Sequence, residues 1–323
     1  MSIISGEAMY NKNHVFSAEQ ADNINEMKAC IIFNPKSGLS NKWFGMTPLE
    51  TIVGAFNDRE LSVTIMTTAR AGHGTEIAAE AVAEGYTHII ACGGDGSINE
   101  VAASVEGSSA VLGVIPLGTE NVLAKAMGVP MDVAGACEHF FNAVERPMDV
   151  GVVNGRNFIM MSGIGFDAQV VSEMDPNVKN VLGSLGFILK GAFNLLTDDG
   201  MVSPVAKIKL LDKNEEYEYP AWLIIIGNIA NYSGTVKLAL NAECDDGMLD
   251  IIVFPSIDSF ETARQLFGAF TETHLEDGSI PYFTSSDFEI TTDPPLYCQA
   301  DGELIGKTPV HYTVKKGAIK VRF

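Results

Sequence analysis

The stretch HIIACGGDGSINEVA, residues 88–102, decides how the chain is read. An apolar run ends in two glycines; an aspartate, a third glycine and a serine follow, and then a pattern that suits a helix. At a strand-to-helix turn, glycine allows φ > 0 and lets a bulky ligand approach the backbone. A helix starting near Ser97 would aim its unpaired N–H groups into the same space, which makes an anion site, for phosphate above all. Asp95 fits poorly beside phosphate unless Mg²⁺ or a water network lies between them. The plain alternative is a tight βα turn in which Asp95 caps the helix.

The flanking text repeats the pattern. ACIIF (29–33), LSVTIM (61–66), THIIAC (87–92) and AVLGVIP (110–116) read as strands, and PLETIVGAFND (48–58), GHGTEIAAEAVAEG (72–85) and SINEVAASV (97–105) as helices. Such alternation predicts βαβ units and a parallel sheet, whose ligands sit beyond the strand C-termini. Two further strand ends carry similar chemistry. In FNPKSG (33–38) the backbone amides and the Ser37 hydroxyl can hold phosphate, with Lys36 as a nearby cation. PLGTEN (116–121) places Thr119 and Asn121 where a helix cap or a ligand contact is expected. Each loop alone reads equally well as a polar turn or a cap, but three such strand ends are harder to obtain by chance than one.

Beyond Arg146 the texture changes. MDVGVVNGRNFIMMSG (148–163) is two apolar runs around Asn154-Gly155, a hairpin signal. VAKIKLLDKNEEYEYPAWLIIIGN (205–228) reads as another hairpin, MLDIIVF (248–254) and HYTVKKGAIKVRF (311–323) add strands, and helical text interrupts at 178–197 and 257–270. The expected organisation is a loose segment over 1–27, an α/β domain over 28–146 and a β-rich domain over 147–323, whose final strand has the option of returning to the first domain. GIGFDA (163–168) matches a dinucleotide fingerprint, yet it lies in the antiparallel half outside any βαβ unit. It reads instead as a close-packed turn under a helix, with Asp167 as a cap or a site wall.

Composition narrows the function classes. The chain of 323 residues has 46% hydrophobic and 19% charged residues and a net charge of −20. At about 150 residues per domain, two domains are the default. The acidic balance argues against general nucleic-acid binding, which needs clustered Lys and Arg, and against docking on anionic lipid by charge alone. Five cysteines, odd in number and dispersed, with no C-x-x-C, fit a reducing cytoplasm better than a disulfide framework or a zinc site. Residues 1–27 lack the apolar region of a signal peptide, and no stretch reaches 18 apolar residues. Any membrane contact is therefore expected to be peripheral. No Walker A loop occurs, nor the H-R-D and D-F-G of protein kinases.

In order along the chain, NPKSG, GGDGSINEV, PLGTEN, GIGFDA, DDGMLDIIV and ADGE resemble the diacylglycerol kinase catalytic-domain family, which includes bacterial lipid kinases and the sphingosine and ceramide kinases. The resemblance covers about residues 28–323. It implies an α/β nucleotide-binding domain like that of NAD kinases and phosphofructokinases, a mainly antiparallel β-sandwich domain, and an active site between them. It further implies that ATP donates its γ-phosphate to a lipid hydroxyl, diacylglycerol first, giving phosphatidic acid. By resemblance, Asn34, Pro35, Lys36, Ser37 and Gly38, Thr67, the run Gly93, Gly94, Asp95, Gly96, Ser97, Ile98 and Asn99, and Thr119 contact ATP. Ser97 stands where the family usually has Thr, which keeps a hydroxyl. TEN stands where T-x-N-D is commoner, which weakens inference about the substrate.

Two acidic turns complete the set. By themselves ECDDGMLD (243–250) and QADGELIG (299–306) read as hairpin corners, with Asp-Gly favouring left-handed backbone. The resemblance implies a structural Mg²⁺ at the first, held by the Asp246 side chain and the Glu243 and Met248 carbonyls. At the second it implies Glu303 as proton acceptor and Asp301 as a supporting or metal-network partner, and the sequence does not decide which carboxylate takes the proton. The stretch 180–196 is apolar enough to wall a lipid site or simply to pack a core. The rival readings are a kinase of another alcohol (a sphingoid base, ceramide, phosphatidylglycerol or NAD) and a catalytically silent nucleotide-binding regulator. A homodimer is an arrangement the sequence neither requires nor excludes.

Overall fold

The structure, a computed structural model, describes residues 27–38, 47–173, 204–255, 259–276 and 278–323. The polar start of the chain and the helical text at 178–197 lie outside them, apart from Met27. Strands β1 (Ala29–Phe33), β2 (Val63–Thr67), β3 (His88–Gly93) and β4 (Val111–Pro116) alternate with helices α1 (Pro48–Asn57), α2 (His73–Ala83) and α3 (Asp95–Val105); α4 (Val122–Ala126) and α5 (Val133–Asn142) follow. β1, β3 and β4 are buried at every position. They read as unbroken apolar runs because a parallel sheet with helices on both faces shows water neither side. α1 starts in a capping box: Glu50 N–H donates to the Thr47 hydroxyl at 3.2 Å, and Thr47 N–H donates to Glu50 Oε2 at 2.6 Å. Pro48 takes the position where its missing N–H costs least, and the helix buries Ile52 and Phe56.

The second lobe comprises β5 (Glu145–Val153), β6 (Arg156–Phe158), β7 (Met161–Gly165), α6 (Phe166–Glu173), β8 (Val205–Leu210), β9 (Glu215–Pro220), β10 (Leu223–Gly227), β11 (Leu249–Phe254), α7 (Ser259–Thr271), β12 (Tyr282–Ser285), β13 (Asp287–Asp293), β14 (Tyr297–Ala300), β15 (Glu303–Lys307) and β16 (Val310–Arg322). One sheet runs β2-β1-β3-β4-β16-β13-β8-β9, with β5 on β16 and β6 on β5; the other runs β12-β11-β10-β7-β14-β15 and is antiparallel. Asn154 and Gly155 make the β5–β6 turn with φ of 48° and 83°, as the Asn-Gly signal predicts.

β16 ties the lobes together. Its first half pairs antiparallel with β13 and β5, and Lys320–Arg322 pair parallel with Val111–Gly113 of β4. The first lobe therefore needs the C-terminal strand to continue its sheet. The sandwich core lies between the two sheets and includes Phe158, Ile208, Ile224, Ile251, Phe288 and Tyr312. β8 alternates exposed and buried residues, as one face packs inward and the other meets water.

One expectation needs correction. β8 and β9 do form a hairpin, but the apolar end of that text, β10, belongs to the other sheet and pairs with β7 and β11. Its five residues are all buried, so it has no polar face with which to return beside β9. Among the described residues, no helix is long and apolar enough to cross a membrane.

Candidate active site

The C-terminal ends of β1, β3 and β4 lie side by side, with Phe33 level with Cys92 and Gly93 level with Pro116. Their loops interlock. Asn34 N–H donates to the Cys92 carbonyl at 2.9 Å, and Leu117 N–H to the Gly93 carbonyl at 2.8 Å. Asn34 Nδ2 donates to Ser97 Oγ at 2.8 Å, and Asn34 Oδ1 accepts the Lys36 N–H at 3.0 Å. Glycine is required where two loops touch: a Cβ on Gly118 would stand 2.5 Å from Gly94 Cα. A Cβ on Gly38 would stand 3.5 Å from Thr119 Oγ1, which brings the first and third loops together. Asn121 closes the third loop on itself, bonding the Gly118 N–H and carbonyl at 2.9 Å each.

α3 starts at Asp95, two residues before the sequence placed it. Gly94 is its N-cap and offers no side chain, so the N–H groups of Asp95 and Gly96 have no carbonyl upstream in the helix and form its positive end. Ser97 and Ile98 do not share this role. Both donate to the Gly94 carbonyl, at 2.9 and 3.1 Å, and the Ile98 side chain is buried in the core. Asp95 does not cap its own helix. Its Oδ1 accepts the Leu123 N–H at 3.3 Å, at the start of α4. Burial pushes its carboxyl up, against the amides of Leu123, Val122 and Asp95 itself, while Glu120 adds to the rise. Thr67 ends β2, exposed, level with Phe33 and outside the cleft walls.

The second lobe faces the second and third of these loops across a cleft of about 1050 Å³, lined by Asp95, Gly96, Asn99 and Thr119 on one side and by Asp301, Gly302 and Glu303 on the other; Asn34–Gly38 line no part of it. Asp301 and Gly302, at φ of 46° and 79°, turn the chain between β14 and β15. The two acids of that turn differ completely. Asp301 accepts three backbone N–H groups, from Ile159 at 2.8 Å and from Met160 and Met161 at 3.0 Å each. Part of the residue meets the cleft, but the carboxylate is enclosed, and burial pushes it up to about 6 against those three amides. Glu303 is exposed and pairs with Arg156, which the Asn154-Gly155 turn places opposite.

Sequence reasoning left Asp167 undecided, and the structure makes it a cleft residue. It is buried, accepts Gln299 Nε2 at 2.8 Å and the Tyr232 hydroxyl at 3.3 Å through Oδ2, and its Oδ1 has no partner. Burial pushes it up to about 6. The signal was present: glycines at 163 and 165 leave one strand face bare just before it, and Gly165 at φ 95° admits the Trp222 carbonyl. β7 pairs antiparallel with both neighbours, which excludes a dinucleotide turn. Asp167 and Tyr232 also wall a smaller niche of about 30 Å³, otherwise apolar, between Phe166, Trp222, Leu238 and Phe254.

Glu243, Asp246 and Met248 sit in the turn before β11 and line no part of this cleft. Among the described residues, no three His, Cys, Asp or Glu side chains gather into a metal site. The cleft lining itself is acidic, with Asp95, Glu100, Glu106, Glu120, Asp167, Asp301 and Glu303 against Arg156 and Lys315. Lys315 is engaged with Glu106 and, at 3.2 Å, with Asn157 Oδ1.

The buried carboxyls set a pH dependence. Asp167, Asp250 and Asp301 each rise from 3.8 to about 6, with burial the first cause. A raised carboxyl contributes stability that is full below its unfolded value and is lost as pH rises through its folded one. The expected result is a melting temperature several degrees higher at pH ~5.5 than at pH ~7.5. Relief of the −20 net charge acts in the same direction. Melting followed by circular dichroism across this window checks it, and a fall toward pH ~5.5 refutes it.

Glycine-bearing strand-end loops on one lobe and an acidic turn on the other thus meet at one cleft. The chain belongs to the diacylglycerol kinase catalytic-domain family, a family of lipid kinases: the family model described as diacylglycerol kinase catalytic domain matches residues 28–153, and the YegS C-terminal NAD kinase beta sandwich-like domain matches residues 163–323. A Bacillus subtilis diacylglycerol kinase is 30% identical over 87% of this chain and 91% of its own. A YegS-like lipid kinase of Pseudomonas aeruginosa is 29% identical over 88% and 92%. A solved Bacillus anthracis chain, described as a diacylglycerol kinase, superposes with a TM-score of 0.75 at 26% identity, covering 92% of this chain and 95% of that one.

Proposed function

We propose that the chain transfers the γ-phosphoryl group of ATP to the hydroxyl of a lipid, diacylglycerol in the first instance, giving phosphatidic acid. The observation that carries this reading is that the glycine-bearing turns at 93–96 and 116–121, with the 34–38 turn packed beside them, lie opposite Glu303 across one cleft. The N–H of Gly96, at the positive end of α3, takes the phosphates, with the Lys36 side chain as a nearby cation. Mg²⁺ arrives with ATP as part of the substrate and spreads the charge of the transferred group. Asp95, fixed by Leu123 N–H, faces that charge.

Glu303 accepts the hydroxyl proton as the new P–O bond forms and the bond to ADP breaks. Its pair with Arg156 is exposed on both sides, and such pairs are worth about 1 kcal/mol or less. The guanidinium is therefore free to pass to an incoming phosphate and release the carboxylate. Asp301 holds the turn and does not meet the reacting atoms.

A kinase assay on mixed lipid micelles, with the product identified by mass, tests the proposal. Diacylglycerol, a sphingoid base, ceramide and phosphatidylglycerol make up the panel. The unpartnered Asp167 oxygen is the reason to include the sphingoid base, because a carboxylate there also suits an ammonium. Tight binding of Mg·ATP with no lipid phosphorylated would support the silent regulator instead.

A further inference from the structure

The turn at 243–248 carries Glu243, Asp245 and Asp246, and the family resemblance assigns it a Mg²⁺. One ligand atom the resemblance names is already engaged, and a cation of the chain itself stands at the turn. Asp246 Oδ1 accepts the Met248 N–H at 2.8 Å, and the Lys316 ammonium donates to the Asp246 carbonyl at 3.0 Å. Mg²⁺ demands near-octahedral oxygen ligands. An ammonium about 5 Å away would repel it by enough to weaken binding roughly tenfold, even at the dielectric constant of water.

Lys316 is built into this position. Gly247 has φ 84°, and a Cβ there would stand 2.9 Å from Lys316 Cδ, so the glycine leaves the room in which the lysine stem lies. Asp149 is fully buried and accepts the Gly247 N–H through Oδ2 and the Gly317 N–H through Oδ1, both at 2.6 Å. One carboxylate thus clamps the acidic turn to the irregular stretch of β16 between Lys315 and Ile319. Burial pushes the Asp149 carboxyl up and the two amides hold it down; Asp246 and Lys316 then act on it in opposite senses. The clamp fixes residue 316 over the turn, and the ammonium reaches the Asp246 carbonyl.

We propose that Lys316 is the resident cation of this turn: a tethered ammonium supplies the neutralisation that the resemblance assigns to Mg²⁺, and the second lobe folds without a bound divalent ion. This inference does not depend on the kinase reading, and it is tested without nucleotide or lipid. Thermal unfolding of the full chain is measured in EDTA and in millimolar MgCl₂ at matched ionic strength. The wild type should melt within about 1 °C in the two buffers. Lys316→Met should melt roughly 2–4 °C lower in EDTA and regain about half of that in MgCl₂. Lys316→Arg should behave as wild type, and adding Asp246→Asn to Lys316→Met should remove the Mg²⁺ response. The proposal is overturned if EDTA lowers the wild-type melting temperature as far as the lysine substitution does. It is equally overturned if Lys316→Met melts like the wild type or ignores Mg²⁺.

Discussion

Replacing Asp95 with Asn is expected to lower kcat by roughly 10²–10³-fold, the range seen when one electrostatic group is removed from a preorganised site. The fold should survive. Asn keeps the shape and an oxygen able to accept the Leu123 N–H, so the junction between the GGDG turn and α4 stays closed. Stability should even rise slightly, because burial penalises the ionised carboxylate and the amide carries no charge. A third consequence separates this role from a structural one. A carboxylate beside phosphate repels it, so metal-free ATP should bind the variant more tightly than the wild type, while Mg²⁺-dependent turnover collapses. Calorimetry in EDTA and initial rates in Mg²⁺ measure the two halves. Near-wild-type turnover would remove Asp95 from the chemistry and leave it as the cap of α4.

Much of the first lobe was legible in the sequence, for a physical reason. β1 occupies residues 29–33 as read, because five apolar residues between Lys28 and Asn34-Pro35 have no other way to be buried on both faces. The start of α3 was misplaced because Gly94-Asp95-Gly96 has poor helix propensity. The helix begins there under tertiary constraint, with the Gly93 carbonyl taken by Leu117 and the Asp95 carboxylate by α4. β10 was assigned to the wrong partner because an unbroken apolar run states that both faces are covered but not by what. At the site, the resemblance implied Glu303 as proton acceptor and Asp301 as its support, and the sequence alone does not decide between them. The difference in their surroundings comes from the three amides at 159–161, more than a hundred residues away in sequence, and no local pattern encodes it. Lys316 was missed for the same reason: its significance comes from Asp149, which brings residues 247 and 317 onto one carboxylate.

Glu303→Gln is expected to lower kcat by about 10²–10⁴-fold, the usual contribution of a general base, while leaving the melting temperature within about 2 °C. The second half of that expectation follows from exposure: the side chain is 64% accessible and its partner Arg156 51%, so their pair contributes little to the fold. The neighbouring acid gives the contrast. Asp301→Ala leaves the N–H groups of Ile159, Met160 and Met161 without their acceptor, which costs about 1–3 kcal/mol for a donor left unsatisfied. Its activity should fall because the turn carrying Glu303 is lost, and the loss should track unfolding. The two substitutions therefore divide activity from stability in opposite ways. Measured side by side, kcat on the active lipid and the midpoint of urea unfolding assign the roles. If Glu303→Gln keeps its rate while a folded Asp301 variant loses it, the proton goes to Asp301. The enclosed carboxylate would then have to exchange one of its amides for the lipid hydroxyl, which requires the 159–161 backbone to move when substrate binds.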